Sequence, residues 1–155
     1  MPTACQIDGE QIAFEFEIDL FNSGAAFARD VLVEASLFNA GPNQEQDIGA
    51  FMAVPVGKGE RIAAIPPLQR VNFRTSLAGA RDAVQVFELG GRQVFVPVIA
   101  FNVLYRWGGG EGQTSASYLI GIDTGAEKLA PLRADQGPRA FSGLGVRPLP
   151  TAMRN

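Results

Sequence analysis

Glu15, Glu17 and Asp19 recur at every second position of one run. On an extended strand that spacing puts their carboxylates about 7 Å apart on one face, a separation some glycoside hydrolases use for an acid and a base. Oxygen donors in a row could also bind Ca²⁺. Both chemistries need a cleft, and a flat wet strand face provides none; alternation within the run accounts for the row by itself. Gly90-Gly91 and the glycines from Gly108 to Gly112 could cradle a phosphate. Neither fits GxGxxG ahead of a helix or GxxxxGK[ST], and hairpin turns explain both. A Ser-Lys nucleophile would have to use Lys58 or Lys128, which stand in turn and tail contexts. The expectation is a protein without catalytic residues, bound metal or cofactor.

Composition sharpens these exclusions. There is no histidine, the commonest metal ligand and general base. That removes a Ser-His-Asp site, a His-Cys zinc site and an HExxH helix. Cys5, the one cysteine, cannot close an internal disulfide, so it says nothing of the redox compartment.

Contact is the remaining chemistry. Phe101, Tyr105 and Trp107 share one face near the end of an apolar run. Aromatic side chains anchor interfaces, so these three are the candidate contact surface, with plain core packing as the competing reading. Phe21, Phe38 and Phe51, near turns, are open to the same two readings.

The elements that would position these residues follow from periodicity. In the run 12–21, Ile12, Phe14, Phe16, Ile18 and Leu20 fall on one face and the three acids on the other, the pattern of a half-buried strand. Asn22-Ser23-Gly24 is a turn. Val31, Val33, Ala35 and Leu37 mark a strand over 29–39. Residues 47–54 read as a short strand, a possible edge over 46–54 to which a partner could add; 61–65 reads as another. Val71, Phe73, Thr75 and Leu77 point in and Arg70, Asn72 and Arg74 out over 68–77. Opposite charges facing each other across antiparallel strands contribute roughly 0.2–1 kcal/mol per pair, so strand 12–21 is expected to pair with 69–77.

Two β-rich runs flank Gly90-Gly91; the first, 84–89, could instead be helical. Val94 to Tyr105 is apolar on both faces, which calls for cover on both sides. Pro97 cannot donate to a ladder, so a central strand with a local bulge is expected there. Trp107 to Gln113 reads as a loop, and Thr114 to Ile122 as the last clear strand.

Hydrophobic residues make up 46% of the 155 and charged ones 19%, below the roughly 25% of an average domain. Such a chain can bury a core without staples. Residues 1–123 carry 8 basic and 14 acidic side chains, and 124–155 carry 5 basic and 2 acidic. The division expected is a β-sandwich over 1–123 and a basic Gly/Pro-rich tail over 124–155, irregular and docked on the acidic body. A net charge of −3 argues against a nucleic-acid partner. No stretch approaches the ~20 apolar residues of a membrane span. Met1 to Cys5 lacks the charged region and apolar core of a signal peptide. The expectation is an extracytoplasmic or membrane-associated protein whose export or anchor segment lies outside this chain, with membrane contact only through that anchor or the basic tail.

Short strands, frequent turns and little helix read as an all-β, antiparallel β-sandwich, and the motifs that follow point to an immunoglobulin-like one by resemblance. Asn22-Ser23-Gly24, Ala28 and the Val31/Val33 strand resemble the N-x-G, A and V-x-V stretch of the cell-adhesion-related bacterial domain, an immunoglobulin-like family. Ile65-Pro66-Pro67 followed by Val71-Asn72-Phe73 resembles its L-x-P-G and V-x-F stretch, without the Gly after the Pro. The resemblance spans roughly 12–77 and implies a domain displayed outside the cytoplasm that supports contacts, with no catalytic residues. The function expected is a non-enzymatic interaction or structural module of a bacterial envelope, with a protein partner or self-association. The alternative is a carbohydrate-binding or hydrolase domain using the carboxylate face or the Trp107 loop.

Overall fold

The computed structural model describes residues 2–7, 11–39, 44–53, 59–80, 87–89, 91–125, 129, 131–133, 139–141 and 144–149. Its elements are β1 (Pro2–Ile7), β2 (Gln11–Phe21), β3 (Ala28–Asn39), α1 (Gln44–Ala53), β4 (Glu60–Ile65), β5 (Arg70–Ala80), β6 (Phe87–Leu89), β7 (Arg92–Phe95), β8 (Pro97–Trp107), β9 (Gly110–Ile122), β10 (Leu132–Arg133), β11 (Arg139–Phe141) and β12 (Leu144–Pro148). Antiparallel pairing forms a sheet in the order β11-β1-β2-β5, a five-stranded sheet β12-β9-β8-β3-β4, and a small sheet β10-β7-β6. The chain enters the five-stranded sheet after β2, returns for β5, and enters it again at β8.

The inward faces of the two larger sheets meet to form a sandwich. Cys5, Ile12, Phe14 and Phe16 from one sheet pack with Ile99, Ile120 and Leu144 from the other, and Phe95 and Leu132 of the small sheet join them. A second cluster, Val31, Val33 and Ile65 with Ile18, Leu20, Val71 and Phe73, continues the core toward one end. β2 and β5 pair along their whole length, with Glu17 opposite Arg74 and Asp19 opposite Asn72. The polar bonds run diagonally: Arg70 bonds Asp19, and Asn72 Nδ2 donates to Glu17 Oε1 at 3.0 Å. The pairing inferred from outward charges is therefore the observed one.

Four features depart from the sequence reading. Residues 44–53 are a helix and not an edge strand. Ile48, Phe51 and Met52, three and four positions apart, lie on one helical face that packs on Val98 and Ala100. That helix is the outer cover which the doubly apolar strand requires. Second, Pro97 opens a strand in place of bulging one: β7 ends at Phe95 in the small sheet and β8 begins at Pro97 in the five-stranded sheet. A residue without an N–H is well suited to a strand's first position. Third, the stretch from Trp107 is a tight hairpin, Trp107 opposite Gly110, because the glycines allow a two-residue turn. Fourth, the basic C-terminal stretch is less irregular than its composition suggests: β10 pairs with β7, β11 with β1 and β12 with β9. Open strand edges on the body recruit short segments that lack any period of their own. Of the run 84–89, for which a helix was the alternative, Phe87–Leu89 is strand β6 and 84–86 lie outside the described residues.

Cys5 is fully buried, and burial pushes its thiol up from 9.0 to about 12. Thiolate is the nucleophile, so a disulfide reagent at pH 8 is expected to label the native protein far more slowly than the urea-unfolded one, as thiol release would show. Because the folded thiol stays neutral where the unfolded one ionises, this group favours the fold fully below pH 9, and that contribution falls as pH rises toward 12.

Candidate contact surface

The chemistry available at one end of the sandwich begins with Asn22. Its side-chain Nδ2 donates to the carbonyls of Ala26 at 2.8 Å and Ile65 at 2.9 Å, and its Oδ1 accepts from Gly24 N–H at 3.0 Å. Its backbone N–H donates to Gln69 O and its carbonyl accepts from Leu68 N–H. One asparagine thus ties the β2–β3 connection to the β4–β5 turn. The turn motif read from the sequence is a brace between loops.

The braced β4–β5 turn holds Leu68 at φ +57°, with Gln69 N–H bonded to Pro66 O at 3.2 Å. Pro at the second position and positive φ at the third are the marks of a type II turn, where glycine is favoured. Leucine in the left-handed region is strained by about 1–2 kcal/mol. Leu68→Gly is therefore expected to raise the unfolding free energy by about 0.5–1 kcal/mol, after the entropy glycine adds to the unfolded chain, measured by urea denaturation.

Leu68 is also 67% exposed, and Phe21, Phe27 and Trp107 are 44–50% exposed. These are the large hydrophobic residues that stand exposed among the described residues. Phe21, Phe27 and Trp107 border a cleft of about 620 Å³ with Leu20, Val103 and Tyr105 on its walls; Leu68 is outside that lining, its main-chain N–H bonded to the carbonyl of Asn22, which belongs to it. Arg29 stacks over the Phe27 ring at 5.3 Å and Arg70 over Phe21 at 5.1 Å, each contributing about 0.5–1 kcal/mol at an exposed position. Trp107 lies over the hairpin turn: a Cβ on Gly109 would come within 2.1 Å of its ring. Gly112 serves Tyr105 likewise, with a Cβ 2.4 Å from that ring.

Of the three aromatic residues singled out from the sequence, Trp107 stands on this exposed rim and Tyr105 half-buried in the cleft wall. Phe101 packs between the sheets, edge-on to Phe16 at 5.9 Å and to Tyr118 at 6.1 Å. The platform members missed were Phe27 and Leu68. Phe27 carried no pattern, but Leu68 had a signal: it follows Pro66-Pro67 where the turn wants glycine.

The carboxylate row keeps to the solvent face of β2, where Glu17 and Asp19 engage β5 side chains. Among the described residues no group of three or more acids and cysteines could hold a metal ion. Leu89 pairs with Arg92 across the glycine dipeptide; Lys58 and Lys128 lie outside the described residues. No helix among the described residues is long and apolar enough to cross a membrane. No family model, curated protein or solved structure matches the chain.

Proposed function

We propose that this sandwich is a non-enzymatic contact module of the immunoglobulin-like kind, which binds a protein partner through the platform of Phe21, Phe27, Leu68 and Trp107. The observation that carries the reading is Leu68: a large apolar side chain, two-thirds exposed, held in a backbone conformation that disfavours it. Strain retained at an exposed position is a feature of binding surfaces. The clustering of exposed aromatics with stacked arginines supports the same reading, since Trp, aromatic and Arg side chains dominate interface energetics. So does their placement on connections at one end of paired sheets, the arrangement by which immunoglobulin domains present binding loops. An envelope setting belongs to the same proposal.

The experiment is site-specific photo-cross-linking in the native cells with the probe at position 68, beside a probe at Arg74 on the flat β5 face. One recurrent protein adduct at 68, absent at 74 and lost with Trp107→Ser, is the expected result. Equal adducts at both positions, or none, would remove the platform from consideration.

A further inference from the structure

Among the described residues β5 is the long open edge of the sandwich. β2 borders it on one side over eleven residues without a shift of register, and no described strand borders the other. The other edges of the two larger sheets, β11, β12 and β4, run three, five and six residues. Short length, a proline, a bulge or an inward charge commonly keeps an edge from pairing with another chain. β5 has none of these. Its inward residues are Val71, Phe73, Thr75, Leu77 and Gly79, and Arg70 and Arg74 point outward. Thr75 Oγ1 donates to Glu60 Oε1 at 3.2 Å, and β4 runs from Glu60 to the turn that leads into Arg70. β4 therefore flanks the first half of β5, and the second half lies clear of it.

We infer that β5 pairs with β5 of a second copy of this chain, antiparallel about a two-fold axis at Ser76, joining two four-stranded sheets into one. About that axis Phe73 faces Gly79 of the second copy, Arg74 faces Ala78, and Leu77 faces Thr75. Each large or charged side chain meets a smaller one. Leu37, which lies against Gly79, gives the incoming Phe73 an apolar neighbour. Other registers fit less well. An axis at Arg74 sets the two Arg74 side chains opposite each other, and one at Thr75 sets them diagonal, within about 8 Å, where like charges repel. An axis at Leu77 shortens the overlap from residues 72–80 to 74–80. The axis at Ser76 also sets the half of β5 that β4 flanks against the clear half of the other copy, so the two β4 edges do not meet. One patch used twice is the isologous contact of a symmetric dimer. Ser76 lies about 20 Å along the strand from Arg70, so the inference does not rest on the loop platform.

Sedimentation of the full chain from about 1 μM to 1 mM measures the association, and amide exchange locates it. A monomer–dimer equilibrium is expected, in which alternate amides within 72–78 exchange about tenfold more slowly at the higher concentration. Ala78→Lys places a cation opposite Arg74 and should weaken the dimer, whereas Ala78→Glu should tighten it. Two symmetric pairs make each change about two- to thirtyfold. Position 78 is exposed, so an unchanged melting temperature of the dilute chain is the control for folding. Opposite residues of an antiparallel pair stand about 4.5–5.5 Å apart, within reach of a disulfide. Ser76→Cys should therefore cross-link the dimer under mild oxidation, while Cys5 stays buried and Trp107→Ser leaves the dimer intact. A chain that stays monomeric, slowed exchange that spares 72–78, or both Ala78 variants shifting association the same way would each overturn the inference. So would loss of the dimer with Trp107→Ser, or no cross-link from Ser76→Cys. In cells a probe at Arg74 that captures a second copy yields twice the chain's own mass, unlike a heterologous adduct at 68, so the two surfaces fail separately.

Discussion

Phe14→Ala is expected to remove about 3–5 kcal/mol of stability, the range for deleting a buried phenylalanine. That is a large part of the roughly 5–15 kcal/mol that holds a domain of this size together. Phe14 is fully buried, stacks on Phe16 with ring centroids 6.1 Å apart, and belongs to the cluster in which all three sheets meet. The surrounding strands are hydrogen-bonded on both sides and cannot close around the void. A melting temperature lowered by about 8–15 °C is the corresponding observation. Phe21→Ala supplies the contrast, on the same strand but with the opposite side-chain parity. Half exposed and stacked under Arg70, it is expected to cost no more than about 1 kcal/mol. Equal losses at the two positions would contradict the two-residue alternation from which the fold is argued.

That alternation explains why β2 and β5 were legible before any coordinates. Each has one wet face, and the wet faces carry opposite charge, so local pattern specified strand, facing and partner together. β8 is legible as a strand but not in its layering. Val98 and Ala100 face outward yet are buried, and nothing near them in sequence names Ile48 and Met52 as their cover. The helix itself was misread because eight apolar-rich residues fit a short buried strand as well as two helical turns. The spacing of Ile48, Phe51 and Met52 was the distinguishing signal. Pairing of the C-terminal strands depends on edges supplied by distant segments, and scattered Leu and Val carry no period that names them.

The proposed contact surface is legible only in part. Leu68 is visible from local chemistry, as a leucine where a Pro-initiated turn favours glycine. Phe27 is not, since its place beside Trp107 on the cleft depends on how distant connections meet.

Asn102→Leu is expected to cost about 3 kcal/mol and to loosen α1 before the rest of the fold. Asn102 is fully buried on the outer face of β8. Its Nδ2 donates to Phe51 O at 3.0 Å, and its Oδ1 accepts from Ser115 Oγ at 2.6 Å and Gln113 Nε2 at 3.1 Å. Gln113 Nε2 also donates to Met52 O at 2.6 Å. Phe51 and Met52 belong to the last turn of α1, whose carbonyls have no partner within the helix, and that turn contains no basic residue to offset them. The sheet therefore caps the helix. Leucine is close in shape but leaves the Phe51 carbonyl and the Ser115 hydroxyl without this partner, at about 1–3 kcal/mol for each buried group. Amide exchange across 48–53 should accelerate more than exchange in β8, and urea unfolding should report the total loss. If α1 exchanges no faster than the strands, its docking depends on Ile48 and Met52 packing alone. The distinction bears on the proposed function, because a helix fixed over Val98 and Ala100 covers that sheet face, whereas the loop end with Phe21, Phe27 and Trp107 stays exposed.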